Sequence, residues 1–242
     1  MISVLDLHFK HPGTENGLGK MTFSLEAGRL LLLAGANGSG KSTLLQLLCG
    51  LASPGGGRIR IGDLTSPGME KRIRTRVGLV FQDPGVQILG ATVGEDLLLG
   101  ARARKMGEAV GHELAERFGL RDLWDRPVQD LSGGEKRRLC LASALVTGPE
   151  VLLMDEPLSG LDYPGIQELR RLIVRNREQG LTQIVASHDL EPLVDLADGL
   201  AVLHQGDLVR WGIPVEVLDG IEQFGVRAPC SWQRDRVIGA WK

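Results

Sequence analysis

Lys41, Ser42 and Thr43 directly follow a run punctuated by glycine, Gly35-Ala36-Asn37-Gly38-Ser39-Gly40, and that order of residue types suits the capture of phosphate. Glycines let the backbone curl until successive N–H groups face one hollow, and a helix opening there adds positive potential. Lys41 supplies a point charge between the β- and γ-phosphates, Ser42 a hydroxyl for one Mg²⁺ position, and Thr43 a hydrogen bond to the α-phosphate. A glycine turn that merely starts a helix gives no reason for Lys and Ser at those two places.

Val151-Leu152-Leu153-Met154-Asp155-Glu156 is an apolar run ending in two carboxylates. Asp155, fixed by the strand before it, is suited to hold Mg²⁺, and Glu156, one residue nearer the γ-phosphate, to orient or deprotonate an attacking water. His188, in Ala186-Ser187-His188-Asp189, follows a second apolar strand, where an imidazole can donate to the γ-phosphate and bridge to Glu156. Ser132-Gly133-Gly134 opens another helix and forms a second anion site. Two such sites for one nucleotide imply two chains.

In this order the motifs resemble the ATP-binding-cassette ATPases, over roughly residues 2–218. Leu131-Ser132-Gly133-Gly134-Glu135 matches the signature sequence and residues 151–156 the Walker B sequence, with Phe81-Gln82-Asp83-Pro84, Ser159-Gly160-Leu161-Asp162 and His188 beside them. The resemblance implies an α/β fold: a P-loop NTPase, RecA-like core with an antiparallel β-subdomain and an inserted α-helical subdomain. It implies one domain over 1–242, with its core at about 1–87 and 147–220, the helical subdomain at about 88–146 and a C-terminal tail at about 221–242. ATP and Mg²⁺ are the implied cofactors. Lys41, Gln82, Glu156 and His188 take catalytic roles; Asn37, Gly38, Ser39, Gly40, Lys41, Ser42 and Thr43 hold the nucleotide; Ser42, Gln82 and Asp155 hold the metal. Gln82, taken alone, reads as a solvated loop residue, and only the matched motif gives it a role. Ser132, Gly133, Gly134 and Asp162 meet the ATP of an opposite subunit in a head-to-tail dimer of identical or related cassettes. The family usually stacks an aromatic ring on adenine, and here His11 stands at that position, which predicts relaxed base selectivity; Phe9 is expected in the core.

Residues 80–87, with a second glutamine at Gln87, together with residues 92–96 and 186–191, resemble the cobalt/nickel and energy-coupling-factor importers. That branch implies integral membrane transport subunits, a groove for their coupling helix, and a cytoplasmic chain peripheral on the inner membrane face. The alternative is a soluble ATPase of the same type acting on nucleic acid or the ribosome, but repair members carry a long coiled-coil insertion and translation members two cassettes. A regulatory module without hydrolysis is at odds with Glu156 and His188.

The elements that must position these residues are legible in outline. Alternating runs at residues 2–7 and 21–25, separated by a glycine-rich turn at 13–19, read as antiparallel strands. Residues 58–61 form another short strand, and the basic stretch 71–76 a solvated face. Leu97, Leu98, Leu114 and Phe118 recur at helical spacing, and helices are expected at 166–179 and 190–196. Residues 199–203 and 208–211 flank a hairpin turn at 205–207.

Composition sets the limits. The 242 residues suffice for one sizeable core, and Lys+Arg 28 against Asp+Glu 30 gives a formal charge of −2, so no nucleic-acid partner is expected. Cys49, Cys140 and Cys230 are odd in number and far apart, which predicts buried thiols in a reducing compartment. No apolar run is long enough to span a bilayer and no signal peptide is legible at the N-terminus, so a membrane is expected to be reached through a partner.

Overall fold

The computed structural model describes residues 1–14 and 16–241. In chain order the strands are β1 (Ile2–Lys10), β2 (Gly17–Leu25), β3 (Leu30–Ala34), β4 (Gly56–Ile61), β5 (Leu64–Ser66), β6 (Val77–Val80), β7 (Val151–Asp155), β8 (Thr182–Ser187), β9 (Gly199–His204) and β10 (Asp207–Gly212). The helices are α1 (Lys41–Leu48), α2 (Glu70–Ile73), α3 (Val93–Ala103), α4 (Ala109–Arg117), α5 (Gly133–Leu145), α6 (Tyr163–Glu178), α7 (Pro214–Val217) and α8 (Cys230–Asp235). The strands form two sheets, an antiparallel one in the order β2-β1-β4-β5 and a larger one in the order β10-β9-β3-β8-β7-β6. In the larger sheet β9, β3, β8, β7 and β6 run parallel, and only β10 is reversed, as the far arm of the hairpin.

Every residue of β3, β7 and β8 is buried, which explains why Leu30–Ala34 and residues 151–154 are continuous apolar runs rather than alternating ones; in β8 the buried Gln183 is satisfied by Asn176 and the Ile173 carbonyl. Because side chains alternate across a strand, each run feeds two cores. Leu30, Leu32, Leu152 and Met154 face α3, α5 and α6, whereas Leu31, Leu33, Val151 and Leu153 face α1 and the antiparallel sheet. Truncating any of these leucines, or Met154, to alanine costs about 2–5 kcal/mol. The sheet is therefore a rigid plate clamped from both sides, and what projects from its carboxyl edge is held in place.

Several local readings need correction. Gly17 is already strand, paired with Lys10 in the β1–β2 ladder at a point where a side chain would run into the Phe9 carbonyl; Glu15, in the expected turn, lies outside the described residues. Helix α6 starts at Tyr163 rather than 166, since Asp162 caps it through the Gly165 N–H at 3.0 Å. Residues 190–196 form no α-helix: Asp189 is turned back onto the Ser187 hydroxyl, Pro192 has no N–H to give, and only a 3₁₀ turn at Val194–Leu196 follows. The basic stretch is not wholly solvated, for Arg74 donates to the Gly50 carbonyl and Arg76 pairs with Asp63 and Glu150. Cys49 and Cys140 are buried, and burial pushes their thiols up to about 11 and about 12, but Cys230 is exposed. Among the described residues no helix is long and apolar enough to cross a membrane.

Candidate active site

Parallel strands place their carboxyl ends on one edge, and four motifs leave the sheet there: the glycine loop after β3, Gln82 after β6, Asp155-Glu156 at the end of β7 and His188 after β8. Sequence-distant residues become neighbours for that reason alone. Residues 37–42, Gln82, Asp155 and Glu156 line one hollow of about 340 Å³. The loop enters α1 through Gly40 at φ +106, a conformation closed to side chains, and a Cβ there would lie 2.5 Å from Leu18.

Lys41 is 6% exposed, and its Nζ donates to the carbonyls of Gly35 (2.7 Å) and Ala36 (3.3 Å). It also lies 3.2 Å from Glu156 Oε1, an ion pair whose angles fall short of a hydrogen bond, which is why that buried oxygen has no hydrogen-bond partner. Glu156 Oε2 takes the other neighbour, His188 Nδ1 at 2.8 Å; with the carboxylate ionised the ring nitrogen carries the proton and donates. Glu156 itself sits at φ +46, a strain on the order of 1–3 kcal/mol for a non-glycine residue, and its N–H donates to the Ala186 carbonyl at 2.9 Å.

Asp155 ends β7 with its side chain buried. Burial pushes its carboxyl above the usual range, and the Ser42 hydroxyl hydrogen-bonded to it only partly offsets that. Its Oδ1 is unpartnered, as is Ser39 Oγ. Among the described residues four buried side-chain polar atoms lack hydrogen-bond partners, and three of them, on Ser39, Asp155 and Glu156, line this hollow. Interiors rarely leave such atoms alone, so their concentration marks a ligand's seat. Ser42 and Asp155 present the oxygen donors a hard divalent cation takes, with room left for phosphate and water. No cage of three or more His, Cys, Asp or Glu side chains exists among the described residues.

His11 stands beside the loop, its Nε2 3.2 Å from the Thr43 hydroxyl and its ring edge-on to Phe9 at 5.0 Å. Phe9 is only partly buried, packed on the core. The remaining histidines are in ordinary contacts: His8 meets the Asp6 carbonyl, His112 stacks on Trp124 at 3.9 Å, and His204 tilts over Phe224.

Ser132 and Asp162 do not join this group. Ser132, Gly134, Gly160 and Asp162 line a second and larger hollow of about 860 Å³, flanked by Arg138, Arg171 and Arg175, with no residue in common with the first. Gly133 lies between them in the first turn of α5. The helix end is built as a reciprocal cap: Ser132 Oγ accepts from the Glu135 N–H at 3.3 Å, and Glu135 accepts from the Ser132 N–H at 2.7 Å, which holds the Glu135 carboxyl below its usual range. With those two N–H groups satisfied, the helix start is rigid before any ligand arrives.

Two residues beside these motifs, Gln87 in the loop after β6 and Arg137 in α5, carry contacts that sequence reasoning did not assign. Gln87 accepts from the Phe81 N–H at 3.0 Å and donates to the Cys140 carbonyl at 2.8 Å, so the glutamine noted only as a resemblance ties the end of β6 to α5. Arg137 is buried in the same region, and nothing distinguishes it in sequence from the basic residues beside it. In the C-terminal segment Trp232 is buried and donates to Asp219, while Trp241 packs on Tyr163 and Arg170.

A family model described as ABC transporter matches residues 18–159. The cobalt import ATP-binding protein CbiO of Rhodobacter capsulatus is 37% identical over 233 residues, spanning 92% of this chain and 83% of that protein. The energy-coupling factor transporter ATP-binding protein EcfA3 of Clostridium perfringens is 34% identical over 242 residues, 95% of this chain and 84% of the relative. Among solved structures, cbiO1 from Clostridium perfringens, described as part of the ABC transporter complex cbiONQ, superimposes with a TM-score of 0.80 at 31% identity, covering 97% of this chain and 95% of that one.

Proposed function

This chain belongs to the ABC transporter family of ATP-binding, ATP-hydrolysing subunits, and on that premise we propose how it works: two cassettes clasp two ATP molecules head to tail, hydrolyse them, and drive import of a cobalt or nickel ion or a vitamin through membrane subunits. One observation carries the reading. Lys41, Asp155 and Glu156 line one hollow and Ser132, Gly134 and Asp162 another, so a triphosphate seated on Lys41 keeps a bare outer face within its own chain. A second cassette turned head to tail offers its capped helix start to that face, and the arginines around it favour an anion.

The chain's own groups then divide the work. The N–H groups at the start of α1 receive the β-phosphate, and Lys41 leaves the Gly35 and Ala36 carbonyls and Glu156 for the more strongly charged triphosphate. That exchange frees Glu156 Oε1 to accept a proton from the attacking water, while His188 Nδ1–H keeps the other oxygen oriented. Ser42, Asp155 and Gln82 would hold Mg²⁺, and the unpartnered Asp155 Oδ1 beside the Ser42 hydroxyl fits that cation. When bound, Mg²⁺ neutralises charge on the terminal phosphates. His11 lies where a base can rest against its ring, next to Thr43.

Cargo and membrane subunits are read from the relatives, one of which is described as a cobalt import ATP-binding protein. The surface agrees with such a partner: Val86 and Leu89, 62% and 79% exposed, set apolar side chains in the loop that follows Gln82, where a helix of a membrane subunit can dock. Through that contact the chain would sit on the cytoplasmic face of the membrane. The test has two arms. Lys41→Ala and Ser132→Arg chains, each inactive alone, should regain roughly a quarter of the wild-type specific activity when mixed in equal amounts, because about half of the dimers are then mixed and each of those keeps one intact site of its two; no recovery removes the composite site. Co-expressed with the membrane proteins that co-purify with it, the chain should support cobalt uptake that the Glu156→Gln variant abolishes; uptake unchanged by that variant removes the transport role.

A further inference from the structure

Arg137 is 6% exposed, and its partners are two backbone carbonyls from two different motifs. Nη1 donates to the Phe81 carbonyl at 3.1 Å, immediately before Gln82, and Nη2 donates to the Ser159 carbonyl at 3.3 Å, in the loop that leads to Asp162. The other side of Phe81 is linked to the same helix through Gln87, which accepts from the Phe81 N–H and donates to the Cys140 carbonyl of α5. The carbonyl of Phe81 is thus held by α5 directly and its N–H through Gln87, and the start of that helix carries Ser132 to Gly134.

A buried guanidinium without a carboxylate partner is costly. Burial lowers its proton affinity, and Asp83 only partly restores it. A lysine could satisfy one carbonyl, but only a planar fork reaches two that belong to separate loops. The residue therefore does something that packing alone does not require.

We infer that Arg137 is a positioning residue that couples the two halves of the machinery, locking Gln82, which faces the chain's own nucleotide, to the Asp162 loop and to the helix start offered to its neighbour's. The coupling is mechanical. A shift of the Phe81-Gln82 segment on nucleotide binding cannot occur without moving α5 or breaking one of these bonds, so occupancy of one hollow sets the readiness of the other face. The inference rests on the composite-site reading above.

The variants are Arg137→Met, which keeps length and apolar volume without donors, and Arg137→Lys, which keeps charge without the fork. Direct titration with ATP and Mg²⁺ should give dissociation constants within about twofold of wild type, because the phosphate hollow is untouched. Turnover should fall about tenfold or more in Arg137→Met and recover little in Arg137→Lys, as expected when two charge-assisted bonds are lost. Combined with Gln82→Ala, Arg137→Met should add little further loss, since both changes interrupt one linkage. Turnover of Arg137→Met close to wild type, full rescue by lysine, or strictly multiplicative losses in the double variant would overturn the assignment. Should Arg137→Met not fold, Gln87→Leu breaks the other arm of the same grip with Arg137 in place, and unchanged turnover in that variant counts equally against it. Absence of hydrolysis in the wild-type chain would instead remove the composite-site reading itself.

Discussion

Replacing Glu156 with glutamine keeps the shape of the side chain and removes its charge, so it separates the carboxylate's chemistry from its packing. In the structure Glu156 Oε2 lies 2.8 Å from His188 Nδ1 and Oε1 lies 3.2 Å from Lys41 Nζ. The glutamine carbonyl can keep the first contact, while its amide nitrogen meets the lysine as one donor meets another. Stripping a buried charge of its only partner costs about 3–5 kcal/mol, but Lys41 retains the Gly35 and Ala36 carbonyls. The expected loss of stability is therefore nearer 1–3 kcal/mol, a fall in Tm of about 2–4 °C for each kcal/mol in a chain of this length. Turnover should fall by about a hundredfold or more, since no other group at the hollow replaces the carboxylate as base. Nucleotide affinity should rise, because Lys41 no longer has to be drawn from a carboxylate before it meets phosphate; a gain of about 1 kcal/mol is roughly fivefold in Kd. Phosphate release at saturating ATP and Mg²⁺ reads the first effect, equilibrium titration the second, and light scattering should find an ATP-dependent dimer that persists. A variant turning over within about threefold of wild type, or binding ATP markedly more weakly, would refute the role of Glu156 and the competition for Lys41 alike.

Three further outcomes follow from individual contacts. Asp155→Asn should raise the Tm of the nucleotide-free chain and remove the effect of Mg²⁺ on nucleotide affinity: a carboxyl whose folded pKa is raised by burial penalises the folded state at every pH above that pKa, and asparagine lifts the penalty. A lower Tm for the variant would contradict this. Glu70 is held at about 2 against an ordinary 4.5, first by its own backbone N–H and then by the Ser53 and Ser66 hydroxyls and Gly68. Its stabilisation is therefore present above pH 4.5 and lost as pH falls toward 2. Glu70→Gln should cost about 1 kcal/mol at pH 7 once solvent screening is allowed for, with the difference closing in acid; a difference constant with pH would exclude the linkage. His11→Ala should weaken ATP binding about fivefold, equivalent to about 1 kcal/mol of ring contact, and flatten preference among purine nucleotides; equal affinity in the variant would remove His11 from the site.

Much of the site was legible because its chemistry is local. The phosphate loop needs glycines, a lysine and a hydroxyl at consecutive positions, and the acid pair needs an apolar strand immediately before it; both demands are written in neighbouring residues. Helix ends were less secure. The start of α6 moved because the Asp162 cap lies just outside the apolar pattern, and residues 190–196 lost their helix because Pro192 and the Asp189 turn outweigh the spacing of their leucines. Arg137 was invisible. Lys136, Arg137 and Arg138 read as one basic stretch, and only the packing of α5 against the ends of β6 and β7 buries the middle one.

The linear order of residues determined the nature of the ligand, because backbone N–H groups, a lysine and paired acids recognise triphosphate and cation wherever they are brought together. Tertiary structure alone decided which groups meet. Glu156 faces Lys41 although 114 residues lie between them, because β3 and β7 both pair with β8, and the start of α5 opens onto a separate hollow because that helix packs on the other face of the sheet. Those pairings come from burying both faces of an apolar sheet, a property of the whole chain that no short stretch contains.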